Sequence, residues 1–296
     1  MEITNDHPIL INKDGDNNEW ILELFHGPTL AFKDIALQLL GNLFEYVLNK
    51  NDDKITIVGA TSGDTGSAAI DCVQGSSRAQ IFMLHPKGRV SDVQRKQMTT
   101  VIEDNVHNIA IEGDFDNCQA LVKALFNDLE FRDKISLSAV NSINWARVMA
   151  QIVYYFTSAL ALGAPDRKVS FSVPTGNFGD VYAGYIAKQM GLPIDQLVVA
   201  TNVNDILSRT INGGEYKVGE TIPTISPSMD IQVSSNFERL LFNIHDSDGA
   251  EIRNLMENLK QSGLFKITDG PLNEVKETFD AMRVSEEDTK ATIAEV

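Results

Sequence analysis

Lys54-Ile55-Thr56-Ile57-Val58-Gly59 is followed at once by Ala60-Thr61-Ser62-Gly63-Asp64-Thr65-Gly66-Ser67 and then by Ala68-Ala69-Ile70. Four of these six, Ile55 to Val58, are β-branched, and the run ends in glycine and is too short for a helix, so it reads as a buried strand. The small and hydroxylated residues form a tight turn, and the alanine-rich run that follows opens a helix. Outward from this unit the pattern alternates: strand-like 80–84, helix-like 92–100, strand-like 106–111, helix-like 117–130 and strand-like 136–140. Strands alternating with helices predict a parallel sheet covered by helices. A long apolar helix over 145–162 comes next. The alternation then resumes with a strand at 168–173, a helix at 179–190 and a strand at 196–201, and the tail from about 235 reads as mostly helical.

Before this core, 20–24 reads as a strand, His26-Gly27-Pro28-Thr29 as a turn, and 32–49 as a periodic helix in which Ile35, Leu39, Leu40, Leu43, Phe44, Val47 and Leu48 recur at three and four. The fold class expected is α/β with two sheets. One is a compact four-stranded unit, giving a smaller domain over 50–143. The other is built from the segments on either side, giving a larger discontinuous domain over 1–49 and 144–296.

The 296 residues are long enough for about two domains. Hydrophobic residues make up 43%, too many for a disordered chain. A formal net charge of −16 argues against nucleic acid or an anionic membrane as the main partner. No apolar run reaches the roughly 18 residues of a membrane span. The polar, acidic start, Met1-Glu2-Ile3-Thr4-Asn5-Asp6, is unlike a signal or transit peptide. Cys72 and Cys118 match no paired pattern and read as free thiols of a reducing, cytoplasmic compartment. His7, His26, His85, His107 and His245 have no metal-ligand spacing, so no metal is expected.

Three turns carry chemistry, and each opens a helix. The first, 59–67, holds three glycines and four Ser or Thr, more than a helix cap requires. Backbone N–H groups at such a strand-to-helix turn favour an anion, so Thr61, Ser62, Gly63, Asp64 and Thr65 are candidate ligand-binding residues. The second, Pro174-Thr175-Gly176-Asn177-Phe178-Gly179, again joins an apolar strand to a helix, with glycines that let the backbone approach a phosphate. Neither turn fits a dinucleotide fingerprint or a nucleotide-binding loop. The third, 26–34, places Lys33 at a helix start. There the helix field and burial would lower the amine's affinity for its proton and favour the neutral form that a Schiff base with an aldehyde requires.

In this order, Glu23-Leu24-Phe25-His26-Gly27-Pro28-Thr29-Leu30-Ala31-Phe32-Lys33-Asp34, the turn 60–67, Asn141-Ser142-Ile143-Asn144-Trp145-Ala146-Arg147 and the turn 174–179 resemble the motifs of threonine synthases, most closely their long bacterial and fungal branch. Ser226-Pro227-Ser228-Met229-Asp230-Ile231-Gln232-Val233-Ser234-Ser235-Asn236-Phe237-Glu238-Arg239 also resembles a signature of that branch. The resemblance implies a fold-type-II enzyme, related to the tryptophan synthase β chain, that uses pyridoxal 5'-phosphate. It implies a carbon–oxygen lyase of threonine biosynthesis that converts O-phospho-L-homoserine and water into L-threonine and phosphate. On that analogy Lys33 carries the cofactor and shuttles protons, Gly176, Asn177, Phe178 and Gly179 cradle the cofactor phosphate, and the 61–65 turn receives the substrate carboxylate. Asn144 and Arg147 join the substrate site. Arg147 is a candidate for the substrate phosphate or, equally, a structural ion pair. Many fold-type-II enzymes have Asn where Asp64 stands, while the long threonine synthases resemble this chain in having Asp, and its role is open. Another fold-type-II lyase or dehydratase, or a non-catalytic cofactor-binding remnant, are the alternative readings. Family members have further segments at both ends, including a stretch near the pyridine nitrogen, so the chain is expected to be truncated and poorly active by itself.

Overall fold

The computed structural model describes residues 10–14 and 18–295. The polar start at 1–6, His7 and the final Val296, on which some expectations fall, lie outside those residues. The chain forms two compact units, Met1–Ala150 and Gln151–Val296.

The first unit begins with the antiparallel pair β1 (Leu10–Asp14) and β2 (Glu19–Glu23). Helix α1 (Asp34–Asn51) follows, closed by Asp52 in the left-handed region. Then come β3 (Ile55–Ala60), α2 (Asp64–Val73), β4 (Ala79–Pro86), α3 (Asp92–Thr99), β5 (Val106–Ile111), α4 (Phe115–Asn127), α5 (Leu129–Lys134) and β6 (Leu137–Ser138). The four later strands form one parallel sheet in the order β5-β4-β3-β6. Strand alternation splits its core. Ile57, Ile81 and Met83 pack on one face with Leu37, Leu40, Ala68, Ala69 and Met98 from α1, α2 and α3. Val58 and Leu84 face the other way, onto Cys118 of α4. The apolar surface of α1 is wider than the face this core uses: Leu40 and Leu48 are buried, while Leu39, Leu43 and Val47 are exposed.

Helix α6 (Trp145–Ala161) runs from the first unit into the second along the chain. The second unit contains β7 (Val169–Pro174), α7 (Gly179–Gln189), β8 (Ile194–Thr201), α8 (Ile206–Gly213), β9 (Glu215–Lys217), a 3-10 turn at Pro227–Met229, α9 (Phe237–Ile244), α10 (Gly249–Ser262), β10 (Leu264–Lys266), α11 (Asp269–Thr278), β11 (Phe279–Arg283) and α12 (Glu286–Glu295). Its parallel sheet has the order β11-β8-β7, with β10-β9 as a separate antiparallel pair. Phe178, Phe237 and Phe279 form a buried aromatic cluster, with ring centroids 5.2 Å and 5.5 Å from Phe178.

Two expectations change, and a third, the mostly helical tail, gains detail. The segments flanking the four-stranded unit do not share one sheet among the described residues: β1 and β2 pair with each other, and β7, β8 and β11 form a sheet of their own. The single helix over 117–130 is two helices, broken at Asp128, whose extended backbone and carboxylate cap the start of α5. The tail from 235 also holds β10 and β11; in β11 Phe279 and Ala281 are buried with exposed Asp280 between them, a period-two signal too short to stand out between helices. No described helix is long and apolar enough to cross a membrane.

Candidate active site

Lys33 is the N-cap residue of α1, at the end of the loop that follows β2. Asp34, one residue on, is buried and accepts hydrogen bonds from the Thr29 backbone N–H at 2.9 Å, from the Thr29 hydroxyl, and from the Ala31 N–H. One carboxylate thus fixes the loop that presents Lys33. Gln97 of α3 adds a bond to the Thr29 carbonyl at 3.0 Å. The sequence by itself gives Asp34 no role. An acidic residue at the first helical position, five residues after a threonine, was the available signal.

The Lys33 ammonium donates to Asp64 Oδ2 at 2.5 Å and to the Thr65 hydroxyl at 3.1 Å, across 31 and 32 residues of chain. The sequence shows only an amine in the field of a helix; the structure adds an acidic partner from the start of α2. Burial of Asp64 pushes its carboxyl upward, but the Lys33 charge and hydrogen bond, with the Thr65 N–H and the Arg147 charge, hold it below its ordinary value. Asp64 is therefore an anion at neutral pH that fixes where the Lys33 nitrogen sits.

The 61–65 turn is organised by Thr61. Its hydroxyl oxygen is buried and accepts the N–H groups of Gly63 and Gly66, both at 2.9 Å. The Thr65 N–H goes to Asp64 Oδ1 at 2.7 Å. Three of the turn's donors therefore have acceptors within the turn, and Thr61 is a brace. Gly63 has φ of +148°, and a side chain there would run into Gln94 of α3. Ser62 is half-buried beside it.

Asn144 caps α6, its Oδ1 accepting the Ala146 N–H at 2.9 Å. Arg147, one turn further, is buried in the first unit, and its charge acts on both Asp64 and Cys72. Cys72 is pushed up to about 12, chiefly by burial, so its thiol stays protonated. Among the described residues no three His, Cys, Asp or Glu gather where they could hold a metal ion.

In the second unit, Gly176-Asn177-Phe178 joins β7 to α7. Phe178 caps α7 with φ of 64°, in the left-handed region and fully buried. The first N–H groups of a helix have no acceptor within it. Among the described residues no protein acceptor is found for the N–H groups of Gly176, Asn177 and Phe178. A ring of such donors at a helix start suits a phosphate. A half-buried primary amine with a fixed nitrogen suits an aldehyde. The residues present thus fit a phosphorylated aldehyde cofactor, each feature within its own unit.

Comparison with known proteins agrees with this chemistry. Residues 10–265 match the family described as pyridoxal-phosphate dependent enzyme. The chain is 59% identical to a threonine synthase of Pseudomonas aeruginosa, over 95% of this chain and 60% of the relative. It is 48% identical to that of Saccharomyces cerevisiae, over 98% of this chain and 60% of the relative. A crystal structure of pyridoxal-phosphate-bound threonine synthase from Brucella melitensis superposes with a TM-score of 0.93 at 60% identity, over 96% of this chain and 61% of the other. The chain spans about 60% of the length of the curated relatives it matches. On the match over 10–265, the chain belongs to the pyridoxal-phosphate dependent enzyme family.

Proposed function

We propose that the chain carries out the threonine synthase reaction, conversion of O-phospho-L-homoserine and water to L-threonine and phosphate. Its cofactor is pyridoxal 5'-phosphate. The observation that carries this reading is the setting of Lys33, a nitrogen fixed by Asp64 and Thr65 at a helix start. The choice of substrate rests on the similarity to threonine synthases. When bound, the cofactor ring supplies an electron sink for bonds at the substrate's Cα.

The residues then divide the work. Lys33 carries the cofactor and moves protons at Cα, Cβ and Cγ. Asp64 and Thr65 aim its nitrogen. The N–H groups of Gly176, Asn177, Phe178 and Gly179 hold the cofactor phosphate. The 61–65 turn binds the substrate carboxylate: the Thr61 hydroxyl oxygen braces the turn as an acceptor, and its O–H, with Ser62 and the turn's remaining N–H groups, is left to donate to the carboxylate. Arg147 and Asn144 serve the substrate phosphate, Arg147 as its planar cation and Asn144 by fixing the start of α6 that positions it. Phosphate leaves from Cγ and water adds at Cβ.

The domain division we propose is 50–143 for the smaller domain, with 1–49 and 144–296 forming the larger. Its support is that all four strands of the β5-β4-β3-β6 sheet fall inside 50–143. A cytoplasmic location and a small-molecule substrate, with neither nucleic acid nor membrane as partner, complete the reading.

Borohydride reduction of the cofactor-loaded chain, followed by peptide mapping, is expected to label Lys33 alone. A label on another lysine would overturn the assignment. Assaying phosphate and threonine together tests the reaction: phosphate without threonine means another lyase, and neither product means a cofactor-binding protein without turnover.

A further inference from the structure

The signature stretch 226–239 has no role in the chemistry above, yet in the second unit it lies directly against the Gly176-Asn177-Phe178 turn. The Ser234 hydroxyl donates to the Gly176 carbonyl at 2.8 Å. The Asn236 backbone N–H and side-chain Nδ2 both donate to the Asn177 carbonyl, each at 3.0 Å. The Ser235 hydroxyl reaches Asn177 Oδ1 at 3.2 Å. Ser234 and Asn236 are buried and are themselves held. The Ser234 N–H donates to the Tyr216 hydroxyl at 2.8 Å, and Asn236 Oδ1 accepts from Arg239 Nε at 3.1 Å. Further up the stretch, a Cβ on Gly176 would stand 2.8 Å from the Ser228 carbonyl oxygen and 3.2 Å from Met229 Cα. The close approach that requires glycine at 176 is therefore to the chain's own backbone.

A peptide unit is planar and trans, so its C=O and N–H point in opposite directions. The Gly176 carbonyl shares a plane with the Asn177 N–H, and the Asn177 carbonyl shares one with the Phe178 N–H. Pinning the two carbonyls on one side aims the two N–H groups out of the other. We infer that Ser234 and Asn236 are positioning residues that aim the Asn177 and Phe178 N–H groups at a phosphate, by fixing the carbonyls of the same peptide units. The inference rests on the reading that this turn holds the cofactor phosphate. It assigns the signature stretch a function: a rigid back wall that presets the donors before the anion arrives, so little ordering cost is charged against binding.

The test uses the full 296-residue chain with Ser234→Ala and Asn236→Ala, titrated with pyridoxal 5'-phosphate and, separately, with pyridoxal, which lacks the phosphate. Each variant is expected to lose roughly tenfold in affinity for the phosphorylated ligand, the size of one or two hydrogen bonds, with pyridoxal binding unchanged. A purely structural role would weaken both ligands alike, and that result, or no weakening at all, would overturn the inference. Ser234→Ala removes a single oxygen and keeps the test standing if Asn236→Ala does not fold. A wild-type chain that binds the two ligands equally well would instead remove the reading of the turn itself.

Discussion

Asp64 is pulled two ways, and the balance fixes its response to pH. Burial raises its carboxyl, while Lys33, Thr65 and Arg147 lower it by more, so the folded value lies below the ordinary 3.8. A carboxylate whose folded value is depressed contributes stability that is complete above the unfolded value and is lost as pH falls through the folded one. Asp64→Asn keeps the shape, removes the charge and leaves Lys33 facing an amide. It is expected to cost about 1–3 kcal/mol at pH 7. In denaturant titrations across pH, the gap between wild type and variant should be constant down to about pH 5 and shrink below about pH 4. A gap that persists undiminished in acid would mean that the carboxylate charge is not what Asp64 contributes to stability. At this scale Lys33 was legible because it sits in a motif that opens a helix. Asp34 and Asp64 were harder to place. A side chain that hydrogen-bonds a loop five residues behind it, or an amine 31 residues away, leaves no periodic trace.

Among the elements, α2 depends on one hydroxyl. Thr61 Oγ1 accepts both the Gly63 and Gly66 N–H groups, doing for this helix start what the residue at the N-cap, a glycine, cannot. Thr61→Val preserves volume but leaves two buried donors without an acceptor. The expected loss is about 2–4 kcal/mol, read as a lower denaturant midpoint at unchanged slope, with Thr61→Ser recovering most of it. A loss below about 0.5 kcal/mol would mean the donors find water instead. The strands and helices of the α/β core were legible because their periods are clean: β5 spans the same residues in sequence and structure, and α3 differs by one at its end. The break at Asp128 was not, because the apolar spacing continues through it and only its capping geometry ends α4. The brace at 234–236 is visible in sequence as a motif but not as a contact, since which carbonyls it meets depends on a fold that brings residues about sixty positions apart together.

For the molecule as a whole, the family relation predicts that stability and cofactor binding are linked. Any ligand that binds only the folded chain stabilises it by RT ln(1 + [L]/Kd), about 2.7 kcal/mol at a hundredfold excess over Kd. Pyridoxal 5'-phosphate is therefore expected to raise the thermal midpoint of the chain in a concentration-dependent way, by a few degrees for a protein of this size. No shift at saturating cofactor would contradict the proposed function at its root. The α/β class and its parallel sheets were legible from alternation alone, but the pairing of the first two strands with each other was not. Alternation shows which segments are strands and is silent on which edges meet.

Phe178 has a consequence for how this sequence can vary. Its backbone is held at φ of 64°, where glycine or asparagine would sit with less strain, yet its ring fills the space between Phe237 and Phe279. Residues that relax the backbone empty the core, and β-branched residues that partly fill the core clash with the backbone. Among all twenty amino acids only another unbranched, bulky side chain meets both demands, so position 178 is nearly closed to drift. Its neighbour Asn177, whose backbone carries the proposed chemistry, is under no such double constraint from packing.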